Sequence, residues 1–263
     1  MCTLSFVPHT NGYAVGMNRD ELRSRPRGLA PRYFERNGVT AVYPFETSGG
    51  TWIAVNGKGQ LFALLNGYST DARTPTGKKR SRGEIIPQMI FDADFRGTAA
   101  ILVSPRLAGI LPFRLIGIDP KDRVISEWRW DGRRIRRSTF LWTRKHWFSS
   151  SLSDVQAEEY RCATCTVAAS VRDPEGADWL ADLHRSHRPS CGPYSICVHR
   201  PDAVTVSYTE VLVNSRVVSM RYVAGSPCES TGFQDVLDLP RSDEPSIPGL
   251  LSDTFSSAAA PMP

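Results

Sequence analysis

Two Asn-Gly pairs, Asn11-Gly12 and Asn56-Gly57, constrain the first half of this chain, because each stands between two runs of strand-forming residues. Asn-Gly enters the left-handed backbone of tight turns at little cost, so each pair predicts two adjacent antiparallel strands. Thr3 to Val7, the turn His9-Thr10-Asn11-Gly12 and Tyr13 to Met17 form the first unit. Thr51 to Val55, the turn Asn56-Gly57-Lys58-Gly59 and Gln60 to Leu65 form the second. Further strands are predicted at Ala99 to Ser104, Phe113 to Ile118, Val124 to Trp130, Tyr194 to His199, Val204 to Val213 and Val217 to Tyr222. Ile85, Ile86, Met89 and Ile90 recur at helical spacing, with Pro87 tolerable in a first turn. Asp154 to Tyr160 also looks helical, as does Asp173 to His187, where Trp179, Leu180 and Leu183 share a face. Strands, a helix, strands, helices and strands again describe a mixed layered α+β architecture, not a regular βαβ alternation.

Of the 263 residues, 41% are hydrophobic, enough for a sizeable core. Residues 1–237 read as a single domain. From Asp238 onward proline and serine dominate, and such a segment buries too little apolar surface to offset its ordering entropy; residues 238–263 are therefore expected to be a disordered tail. The net charge of +5 permits an anionic partner without requiring one, and no nucleic-acid module is present. The basic run Lys78-Lys79-Arg80-Ser81-Arg82 reads as a solvated loop, or as a greeting for an anionic group on a ligand or membrane surface. No apolar run is long enough to span a bilayer, and the start Met1-Cys2-Thr3-Leu4-Ser5-Phe6 lacks the pattern of a signal peptide, so a cytoplasmic location is expected.

Cys2 carries the sharpest chemistry. A residue this small allows removal of the initiator Met1, which would leave Cys2 with a free α-amine. That amine titrates near neutrality (about 7.7–8.0) and can take the proton of its own thiol. A regular hairpin returns Asn18, Arg19 and Asp20 to the neighbourhood of that amine. Asp20 could hold the amine, and Arg19 could lower the thiol pKa. Structural readings stand beside these: Arg19 and Asp20 as an ion pair, Asn66-Gly67 as a turn, Trp52 as core. The six cysteines include Cys162-Ala163-Thr164-Cys165, but this follows a helical stretch instead of opening one, and no second such motif completes a zinc site. Its thiols read as structural or incidental, and no metal site or cofactor is expected. His184, His187 and His199 read as surface or packing residues, with His199 a weaker candidate for substrate contact.

Asn18-Arg19-Asp20-Glu21 is the tetrapeptide for which the NRDE family, which includes the animal transport and Golgi organisation proteins, is named. Together with Cys2, Ser24-Arg25-Pro26 and Gly49-Gly50-Thr51-Trp52, it makes the chain resemble that family through Asn66 and, more loosely, to about Cys228. The chain is also similar to the choloylglycine hydrolase branch of N-terminal nucleophile enzymes, which begin Met-Cys and carry a Gly-Arg-Asn-x-Asp segment. Gly16, Asn18 and Asp20 match that segment, whereas Met17 stands where the branch has arginine. The resemblance implies a four-layer αββα sandwich. It implies Cys2 as nucleophile, with Asn18 and Arg19 in the same site, Asp20 orienting the amine and Asn66 donating to an oxyanion. The activity implied is hydrolysis of a linear C–N amide bond in a small molecule. The alternative is non-catalytic handling of haem or of an acyl or lipid compound in the same cleft.

Overall fold

The computed structural model describes residues 1–68, 79–92, 95, 97, 101–172 and 177–242. The strands are β1 (Cys2–His9), β2 (Gly12–Leu22), β3 (Leu29–Arg36), β4 (Val39–Phe45), β5 (Ile53–Asn56), β6 (Leu61–Asn66), β7 (Phe113–Asp119), β8 (Val124–Trp130), β9 (Ile135–Phe140), β10 (Lys145–Ser149), β11 (Ala203–Val213), β12 (Val217–Ala224) and β13 (Asp235–Pro240). The α-helices among the described residues are α1 (Ile85–Met89), α2 (Asp154–Val171) and α3 (Ala177–His184). One sheet has six strands in the order β10-β1-β2-β11-β12-β13, and the other has seven in the order β3-β4-β5-β6-β7-β8-β9. Every neighbouring pair in both sheets is antiparallel.

The side-chain period of two in a strand builds the layers. Leu4 and Phe6 of β1, with Val15 and Met17 of β2, meet Ile53 and Leu65 of the other sheet in one buried cluster between the sheets. The alternate residues Ala54, Phe62 and Leu64 turn away and pack with Ile85, Ile86 and Met89 of α1. On the far side, Val7 and Ala14 pack with Cys165 of α2 and with Trp179 and Leu180 of α3. The order α1, seven-stranded sheet, six-stranded sheet, α2 and α3 is the expected four-layer αββα sandwich. Each fully buried leucine or phenylalanine at these interfaces contributes roughly 1.5–3 kcal/mol.

The turns at Asn11-Gly12 and Asn56-Gly57 both form, and they meet. The Tyr13 hydroxyl donates to the Gly59 carbonyl at 2.7 Å, tying the first hairpin to the turn of the second. The Asn56 side chain accepts from the amides of Lys58 and Gln60 and donates to the Gln60 side chain and the Ile90 carbonyl. Gly16 has a steric reason: a Cβ there would lie 2.9 Å from the His184 ring, so glycine lets α3 lie directly against β2.

Several expectations need correction. The segment Tyr194–His199 is not a strand; only His199 pairs, as an isolated bridge to Val204. Its polar groups are satisfied elsewhere, with the Ile196 carbonyl bonded to the Asn18 side chain and the Cys197 amide to the Ser186 carbonyl. Ile101–Ser104 forms no strand and leads into a 3-10 turn over Ser104–Leu107, while residues 99 and 100 lie outside the described residues. The helix expected from Asp173 begins, among the described residues, at Ala177 and ends at His184. The tail does not begin at Asp238, because β13 runs to Pro240 along β12 and buries Leu239 between the sheets; residues 243–263 lie outside the described residues.

One buried acid gives the fold a measurable pH signature. Glu210 of β11 is fully buried, accepts from the Tyr208 hydroxyl at 3.0 Å and from Arg221 at 3.3 Å, and burial pushes its carboxyl up to about 7. A folded-state value above the unfolded one means that its contribution is complete at acid pH and is lost as pH rises through about 4.5 to 7. Glu210→Gln should therefore gain stability relative to the parent between pH 5 and pH 8, by at most about 3 kcal/mol in urea unfolding. A difference that is flat with pH would show that Glu210 is ionised throughout.

Candidate active site

Cys2 lies opposite Arg19 across the first hairpin and opposite Ser149 on its other side, so strand register alone sets its two neighbours. The thiol faces a cavity of about 360 Å³ that opens where the ends of β1 and β2 approach the other sheet. Cys2, Arg19, Trp52, Asn66, Lys79 and Arg82 are among the residues that line it. Met1 is itself buried in the lining, with its sulfur accepting from Ser151 Oγ and Arg200 Nη1. Burial pushes the Cys2 thiol up, and the N-terminal ammonium and the Arg19 guanidinium beside it oppose that rise.

Arg19 and Asp20, consecutive on β2, take different partners. Arg19 Nη2 pairs with Glu46 at 2.6 Å and with Glu21 at 3.5 Å, and its guanidinium lies 4.4 Å from the centre of the Trp52 ring. Trp52 is thus both core and cavity wall. Asp20 Oδ1 accepts from Thr205 Oγ1 at 2.7 Å, and Oδ2 lies 3.7 Å from Arg161 Nη2 with no hydrogen-bond partner among the described residues. The suggested Arg19–Asp20 ion pair does not form, because successive residues of a strand point to opposite faces. Burial raises the Asp20 carboxyl and Arg161 pulls it down.

A bulge shapes this corner. The register of β11 against β2 shifts between Thr205, opposite Asp20, and Ser207, opposite Arg19. The extra residue re-aims the strand and places the Thr205 hydroxyl on the Asp20 carboxylate, while the same oxygen accepts from the Val198 amide at 2.8 Å.

The sequence-derived candidates divide. Cys2, Arg19, Asp20 and Asn66 all line the cavity. Asn66 closes β6, and its Nδ2 donates to the Tyr68 hydroxyl at 2.7 Å. Asn18 does not face the cavity: its amide donates to the His184 and Ile196 carbonyls, each at 2.9 Å, so it anchors α3 and the loop before β11. His199 also lies elsewhere, among His187, Cys197 and Cys228. Cys162 and Cys165 are free thiols within α2, and burial pushes Cys165 up to about 12.

Arg161 joins the site without having stood out in the sequence. It is fully buried on α2, and its Nη1 donates to Thr3 Oγ1 at 2.9 Å and to the Cys2 carbonyl at 3.3 Å. The one available signal is spacing, since Ala157, Arg161, Thr164 and Cys165 repeat on one helical face. Glu46 joins the site in the same way, and Arg82 of the basic run lines the cavity too. Arg82 Nη1 donates to the Pro112 carbonyl, and among the described residues Arg82 pairs with no carboxylate. Lys78 of the basic run lies outside the described residues.

Comparison with solved structures finds a mutant conjugated bile acid hydrolase from Clostridium perfringens at a TM-score of 0.51 and 12% identity, covering 93% of this chain and 94% of that one. A penicillin V acylase from Agrobacterium tumefaciens aligns over 90% of each chain at a TM-score of 0.47 and 12% identity. The bile acid hydrolase shows the fold to be that of the N-terminal nucleophile hydrolases. No curated protein matches the chain in sequence. No helix among the described residues is long and apolar enough to cross a membrane. The profile of the family described as Transport and Golgi organisation 2 matches residues 1–163, more than half of the sequence, and the chain therefore belongs to that family.

Proposed function

We propose that, once Met1 is removed, this protein hydrolyses a linear amide bond of a small molecule, with Cys2 as nucleophile. The observation that carries the reading is that Cys2, Asp20 and Asn66 line one cavity, with Asp20 Oδ2 buried and without a hydrogen-bond partner among the described residues. Loss of Met1 moves the α-amine onto Cys2 and clears part of the lining. Asp20 Oδ2 then accepts a hydrogen bond from the amine. The amine takes the thiol proton, and the sulfur attacks the amide carbon. Asn66 Nδ2 turns from Tyr68 to donate to the oxyanion. Collapse breaks the C–N bond, the leaving amine takes the proton, and water cleaves the thioester to regenerate the thiol. Arg82, without a carboxylate partner among the described residues, receives an anionic group of the substrate.

The second reading is binding without turnover, of haem or of an acyl or lipid compound. It is favoured by Met17, whose buried apolar side chain stands where related enzymes carry arginine. Intact mass distinguishes the two. The hydrolase reading expects a chain lacking Met1 that gains a single acyl group from an activated ester, mapped to Cys2. Retention of Met1 in protein from an ordinary host, or acylation spread evenly over the cysteines, would sink it.

A further inference from the structure

A second group of reactive side chains lies away from the cavity. His187 follows α3, Cys197 and His199 precede β11, and Cys228 sits in the 3-10 turn Pro227–Glu229 after β12. Their ligand atoms all lie within 4.8 Å of one another. Cys197 Sγ is 3.5 Å from Cys228 Sγ and 3.6 Å from His199 Nε2, and His199 Nε2 is 3.2 Å from Cys228 Sγ. The His187 ring meets His199 edge to face with centres 5.0 Å apart. His187 Nε2 is buried with no hydrogen-bond partner among the described residues, and both thiols are free.

We propose that His187, Cys197, His199 and Cys228 form a closed tetrahedral site for a divalent ion of the zinc type. Bonds of about 2.3 Å to sulfur and about 2.1 Å to nitrogen place tetrahedral ligand atoms about 3.4–3.8 Å apart, close to the 3.2–3.6 Å among Cys197, His199 and Cys228, with His187 within 4.8 Å. Two sulfurs and two imidazoles suit zinc in preference to the oxygen-seeking magnesium or calcium. Binding releases one proton from each thiol. The ion, two thiolates and two neutral imidazoles then sum to zero charge, which suits a half-buried position. Four protein ligands leave no coordination position open, so the role is structural. The ion would clamp three chain segments together. The clamp reaches the cavity through the Val198 amide, which donates to Thr205 Oγ1, which in turn donates to Asp20. It does not depend on the hydrolase reading.

The test uses the full chain purified under reducing conditions, incubated with Zn2+ and freed of excess by gel filtration. One zinc per chain is expected, with loss of most of it in Cys228→Ser and in His199→Ala, while Cys162→Ser keeps it. Reconstitution of the unsubstituted protein with Co2+ should give the visible absorption of a tetrahedral, thiolate-ligated ion, which needs no variant to fold. Absence of bound metal in the reduced protein would overturn the proposal. So would zinc that survives both ligand substitutions, or a Co2+ spectrum of octahedral type.

Discussion

Protein carrying Cys2→Ala should lose turnover by about four orders of magnitude or more, since the proposed covalent intermediate forms on the Cys2 thiol. Among the cavity-lining residues Cys2 is the one thiol, and neither Cys162 nor Cys165 lies in that lining. The same loss is expected when Met1 is forced to remain, because the thiol stays in place but the amine that would serve as its base is locked in a peptide bond. Burial already pushes that thiol up, so without a base it stays protonated at neutral pH. Asn66→Ala should be milder, a loss of about 10²–10³ in kcat, as for removal of one oxyanion donor. Steady-state rates on the amide that first acylates Cys2 would check the series. Full activity in a chain that retains Met1 would remove the amine from the mechanism.

Arg161→Met is expected to be the most destabilising of the changes considered, by about 3–5 kcal/mol, because it strips a fully buried carboxylate of its cation. Arg161 and Asp20 are both shut off from solvent, and the Thr205 hydroxyl alone cannot replace a charge. The loss has a direction in pH. Burial raises the Asp20 carboxyl and Arg161 opposes that rise, so removing Arg161 raises it further. An acid whose folded value is raised is at its most stable when protonated, and stability falls as pH rises through that value. The cost of Arg161→Met should accordingly be smaller at pH 5 than at pH 8, and Asp20→Asn added to it should recover part of the loss. Urea midpoints of the two single variants and the double variant measure this coupling. A cost below about 1 kcal/mol at pH 8 would mean that water reaches Asp20.

What the sequence by itself determined follows from short-range chemistry. Asn11-Gly12 and Asn56-Gly57 set two hairpins, and a hairpin sets its own register, so the placing of Cys2 beside Arg19 follows from the local sequence alone. Runs rich in β-branched and aromatic residues, such as Val124–Trp130, were legible as strands for the same local reason. The exposed β3 and β9 were not, since their side chains do not alternate between core and water and their pairing comes from neighbouring strands. Asn18 illustrates the limit within the motif itself: proximity to Cys2 was legible, but the face it points to was decided by alternation along β2 and by the carbonyls offered by α3 and the loop before β11. Arg161, Glu46 and Thr205 reach the site from segments far away in sequence, and His199 leaves it for partners in two other segments. Only the packing of sheet on sheet and helix on sheet decides such meetings, because contacts between distant segments depend on how whole layers stack, and no local period in the chain records that.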